Sequence, residues 1–151
     1  MEMVKPLVAF ALLPLSAAAA GFSLTIGPPV AAGTGGKVTK TKAAFAVRLE
    51  ECEDLVHAQI SATAEGLVNG ARTSTRATLL PATQPGVYVV PGTWPDEGTW
   101  AVSLTASCGS AKAGAIVPIG PQGFVRESVK QFPRPPSPAE IDAALKSPAS
   151  R

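Results

Sequence analysis

Apolar and polar residues alternate with a period of two through the middle of the chain. Ala43, Phe45, Val47 and Leu49 alternate with Ala44, Ala46 and Arg48. Val56, Ala58, Ile60 and Ala62 alternate with His57, Gln59, Ser61 and Thr63. Successive side chains of a strand point to opposite faces, so both stretches predict half-buried strands. Residues 99–108 alternate most regularly: Trp100, Val102, Leu104, Ala106 and Cys108 share one face, and Thr99, Ala101, Ser103, Thr105 and Ser107 the other. Glu65-Gly66 and Asn69-Gly70 read as turns. Thr-rich residues 71–80 predict a strand ended by Pro81, with Arg72, Ser74, Arg76 and Thr78 on one face. Pro85-Gly86 and Pro91-Gly92 bracket a short strand over residues 87–90. After Gly109, residues 111–119 form a last strand with Val117 and Ile119 inward. About seven short strands at even spacing, separated by turn signals, predict an all-β fold: an antiparallel β-sandwich over residues 43–120.

The flanks read differently. Residues 22–26 are strand-like, a Gly/Pro/Ala stretch follows over residues 27–36, and Lys37, Lys40 and Lys42 come next. Residues 21–42 therefore predict an edge strand and linker. The lysines suit a solvated edge that resists pairing with other chains better than they suit a binding patch. Residues 121–151 form a Pro-rich tail with Pro121, Pro133, Pro135, Pro136 and Pro138. Within it Ser137 can cap, Pro138 fits the first helical position and Glu140 the third, ahead of Ile141, Ala143, Ala144 and Leu145. That predicts a short helix over residues 138–146, which docks on the sandwich or frays. Phe124, Val125 and Phe132 can pin the tail.

Residues 1–20 look like an export signal: Lys5, an apolar run through Leu15, then Ala18-Ala19-Ala20 as a cleavage site. The rival reading is an uncleaved N-terminal anchor. The dense apolar run is short for a bilayer and is interrupted by Pro14, so cleavage fits better. Cleavage leaves no membrane span and a periplasmic or secreted domain. The net charge of +2 gives no argument for nucleic acid. Only 5% of residues are aromatic, so those few must anchor the core.

Cys52 and Cys108 are the only cysteines. In an exported chain such a pair predicts one disulfide; closing a loop of about 57 residues removes roughly 4 kcal/mol of unfolded-state entropy. Cys108 lies on the core face of its strand. Cys52 is out of step with Phe45 to Leu49, so a bulge at Glu50-Glu51 or a loop must re-aim it.

Candidate chemistry is sparse. His57 is the sole histidine and both methionines fall within the first three residues, so the chain lacks the thioether and imidazole set that copper(I) prefers. His57 is the one candidate metal ligand, and a solvated histidine explains it more simply. Glu50, Glu51, Glu53 and Asp54 crowd around Cys52. They form an acidic docking patch or a solvated loop; the spacing of a calcium loop is missing. There is no G-x-S-x-G, H-E-x-x-H or P-loop, so no catalytic residue and no cofactor is expected.

Gly86-Val87-Tyr88 and Gly98-Thr99-Trp100-Ala101-Val102-Ser103-Leu104 resemble the closing strands of YtkA-like domains. These are small bacterial envelope domains related in pattern to the FixH group. Residues 58–62 resemble an earlier segment of the same family, so the likeness spans residues 43–118. It implies an immunoglobulin-like sandwich and an envelope role. The FixH relation suggests copper-oxidase accessory work, for which the chain left after cleavage lacks Met and a His cluster. The expectation is a non-catalytic exported module that binds an undefined protein or envelope partner. The alternative is a metal-linked accessory domain.

Overall fold

The computed structural model describes residues 21–29, 33–34, 37–38, 43–121 and 123–147. The predicted signal, and Lys40 and Lys42 of the lysine run, lie outside them. In chain order the elements are β1 (Ser23–Gly27), β2 (Gly33–Thr34), β3 (Lys37–Val38), β4 (Ala43–Glu50), β5 (Gln59–Val68), β6 (Ala71–Arg76), β7 (Leu80–Pro81), β8 (Val87–Pro91), β9 (Thr99–Cys108), β10 (Ala111–Gly120), β11 (Gly123–Phe124), β12 (Lys130–Phe132) and α1 (Pro138–Lys146).

Two antiparallel sheets face each other. One runs β1-β4-β8-β7 and the other β11-β10-β9-β5-β6, with β12 also on β10. Among the described residues β2 and β3 pair only with one another. The seven strands of five residues or more follow the order of an immunoglobulin-like Greek key, four in one sheet and four with an added edge in the other once short β7 is counted.

Alternation builds the core as predicted. Phe45, Val47 and Leu49 of β4 meet Val102 and Leu104 of β9 and Ala115 and Val117 of β10. Phe45, Val102 and Leu104 are fully buried. Phe124 closes one end, its ring 6.2 Å from that of Phe45. Asn69 (φ 52°) and Gly70 (φ 79°) make the predicted tight turn between β5 and β6.

Two expectations are corrected. Glu65-Gly66 is not a turn but lies within β5. Gly66 sits opposite Trp100, and a Cβ there would come 2.6 Å from the indole ring. The glycine makes room for the ring rather than bending the chain. The strand predicted from Val56 starts only at Gln59; Val56 and His57 fall in a turn, with Val56 88% exposed. β1, in the stretch expected to hold an edge strand, pairs along β4 at the edge of the first sheet.

The tail docks. β11 and β12 cover the outer edge of β10, pairing at Ile119–Gly120 and Gly114–Ile116 respectively. α1 then lies across the outward face of the second sheet, with Ile141, Ala144 and Leu145 clustered against Ala101 and Ile116. The capping box is complete: the Glu140 N–H donates to Ser137 Oγ at 3.2 Å, and the Ser137 N–H donates to Glu140 Oε1 at 2.9 Å.

Candidate functional site

The disulfide pins one end of the sandwich. Cys52 and Cys108 are bonded, with Cα atoms 5.8 Å apart. β4 stops at Glu50, and Glu51 takes φ 58°, a left-handed conformation that turns Cys52 out of the strand path. This supplies the re-aiming that strand parity required. Cys108, expected to be buried, is half-buried, because it is the last residue of β9 and the bridge lies at the corner rather than inside the core.

The acidic residues surround that corner without converging. Glu51, Glu53 and Asp54 are exposed and Glu50 is half-buried, 4.0 Å from Arg48. Asp54 Oδ2 lies 2.8 Å from His57 Nδ1, both side chains solvent-facing. Among the described residues no three of His, Cys, Asp and Glu gather closely enough to hold a metal ion. His57 is thus oriented by one carboxylate and has no second ligand beside it.

A groove opens next to this corner, with a volume of about 640 Å³. It exists because β6 leaves its sheet. The Ala77 N–H still donates to the Ala62 carbonyl at 3.0 Å, after which the chain crosses to the other sheet and Leu80 and Pro81 pair with Val89 and Tyr88. β5 pairs with β9 from Gln59 onward but with β6 only from Thr63. Backbone groups of alternate residues point to the same side, so those of Ile60 share the direction of Ala62. Among the described residues no strand meets them there. Ala58, Ile60, Leu79 and Tyr88 supply apolar surface, while Gln59, Ser61 and Lys112 supply polar groups. The mismatch in length between β5 and β6 creates the groove. Its sequence signal is Pro81 after a polar strand, too weak to place it.

The outward face of the second sheet carries another group that sequence alone did not assemble. Arg72 Nε donates to Asp142 Oδ1 of α1 at 2.8 Å, and Arg72 also lies 3.5 Å from Glu65 Oε2. Glu65 is the one buried charged residue among those described. Arg134 grips Glu140 through two bonds of 2.7 and 3.1 Å and stacks 5.1 Å above the Phe132 ring. The Arg134 hydrogen bonds, followed by that from the Ser137 backbone, hold the Glu140 carboxyl down to about 2.

No protein-family model, curated protein or solved structure matches the chain. Among the described residues no helix is long and apolar enough to cross a membrane.

Proposed function

We propose that this chain is a non-catalytic, exported module that binds a protein or envelope partner, using the groove beside the disulfide corner. The observation that carries the reading is the edge of β5 that no described strand pairs with, next to Ile60, Leu79 and Tyr88. An extended segment can add there as a strand, with backbone hydrogen bonds giving affinity and the apolar pocket giving selectivity. The disulfide suits an oxidising compartment, in keeping with the export pattern of residues 1–20. The resemblance to YtkA-like domains supports an envelope setting.

The test is photo-crosslinking in the native envelope with a benzophenone side chain at Gln59. The reading expects a discrete protein adduct, lost on Ile60→Asp while the tryptophan fluorescence of Trp94 and Trp100 stays native. A label at Lys130, on the tail, is the control. No adduct at Gln59, or the same adducts at both positions, contradicts the reading.

One observation favours the metal-linked alternative: Asp54 orients His57 and leaves Nε2 facing solvent. Calorimetric titration with Cu²⁺, Zn²⁺ and Ca²⁺ separates the two. Heat at micromolar protein that His57→Ala abolishes supports the alternative; absence of heat removes it.

A further inference from the structure

α1 is nine residues long, and a helix of that length is marginal alone in water. It is held by few apolar contacts, Ile141, Ala144 and Leu145 on Ala101 and Ile116, with Leu67 and Phe132 at the margin. Around them stand two arginine–carboxylate pairs, Arg72–Asp142 and Arg134–Glu140. The connection to β12 is residues 133–137, three of them proline. The sheet beneath is complete without the helix, since β5, β9 and β10 bond to one another throughout.

The helix therefore behaves as a ligand joined to its own receptor, and it defines what that receptor accepts. Apolar residues at spacings i, i+3 and i+4 fill the shallow surface over Ala101 and Ile116. An acidic residue at i+1, Asp142, meets Arg72. Glu65 already neutralises part of that guanidinium and fixes where it points. β9 has no charged residue and β10 carries only Lys112 at its far end, so the charges of this face come from Glu65 of β5 and from Arg72 and Arg76 of β6, of which Arg72 is the one that meets the helix.

We infer that the outward face of the second sheet, around Leu67, Ala101, Ile116 and Arg72, is a docking site for a short acidic amphipathic helix of a partner protein, which α1 occupies in cis. The tethered helix competes at high effective concentration, so the affinity for an outside helix is the intrinsic affinity multiplied by the fraction of time the site is uncovered. This goes beyond the groove: the two surfaces differ, and a negative result at one leaves the crosslink at the other unaffected.

A fluorescent peptide of residues 133–147 serves as the probe, titrated by anisotropy into the full chain. Ile141→Asp with Leu145→Asp unseats the cis helix, and the peptide then binds about tenfold tighter or more than to the unaltered chain. Adding Arg72→Glu removes that gain, and a peptide carrying Asp142→Arg restores it. If the double variant fails to keep native tryptophan fluorescence, Leu145→Ala takes its place, with an expected gain of about threefold or more. Equal binding to the altered and unaltered chains overturns the inference, as does indifference to Arg72→Glu. A concentration-dependent dimer of the unaltered chain, lost in the variant, also overturns it by assigning the site to a second copy.

Discussion

The inter-sheet core and the small cluster beneath α1 are built from the same strands read on opposite faces. β9 gives Trp100, Val102 and Leu104 to the first and Ala101 to the second. β10 gives Val117 inward and Ile116 outward. The inward set meets a whole opposing sheet, with a disulfide closing one corner. The outward set meets one nine-residue helix and two ion pairs near the surface. Burial across a whole sheet dominates the first, while the second depends on a handful of apolar side chains, a capping box and charge. One strand can thus serve a rigid scaffold and a removable cover together.

The largest test removes bulk from the scaffold. Phe45→Ala leaves a cavity against Phe124 and the centre of the core, and should cost about 3–5 kcal/mol in urea unfolding monitored by far-UV circular dichroism. Gly66→Val forces a side chain into the space the Trp100 ring fills and should cost about 1–3 kcal/mol, possible relief coming only from moving the indole. Removing the bridge through Cys52→Ser with Cys108→Ser should cost about 2–4 kcal/mol, and native circular dichroism should survive at low temperature.

Changes under α1 should be smaller in global unfolding, for a thermodynamic reason. Once the helix undocks in a separate step, weakening it further no longer lowers the stability of the sandwich. Leu145→Ala should therefore lower global stability by no more than about 2 kcal/mol while raising the opening of α1 by the whole effect. Ser137→Ala breaks the cap and should loosen the helix by about 1 kcal/mol, read as faster amide exchange at Ile141.

The smallest effect is pH dependence. The Glu140 carboxyl is held at about 2, below its ordinary value of 4.5. Its contribution to the cap is complete above pH 4.5 and is lost as the pH falls toward 2. Amide shifts of α1 should move in that window, while those of β9 stay fixed. Glu140→Gln should abolish the shift.

The same contrast explains what was legible in the sequence. Strict alternation at Phe45, Val47 and Leu49 and at Trp100, Val102 and Leu104 named the inter-sheet core, because a sheet with one buried face writes that pattern. The helix at Pro138–Lys146 was legible from Ser137, Pro138 and Glu140, since caps are local chemistry. Where it docks was not, because Ala101 and Ile116 sit at positions that read as the outer face. Gly66 misled because a glycine that admits a ring and a glycine that turns a chain look alike in one dimension. The groove was hidden because it arises from two strands of unequal length leaving one edge uncovered, which no single segment encodes. Cys52 could be seen to be out of step, and Glu51 supplied the reason in three dimensions.

Native-state hydrogen exchange tests the central claim, a rigid sandwich carrying a separable cover, most directly. Amides of Ala144, Leu145 and Ser147 are compared with those of Val102 and Leu104 in the same sample. α1 is expected to open without the sheet, exchanging faster than β9 on the order of a hundredfold or more, with little dependence on denaturant. Equal protection of α1 and β9, falling together as denaturant rises, would contradict it.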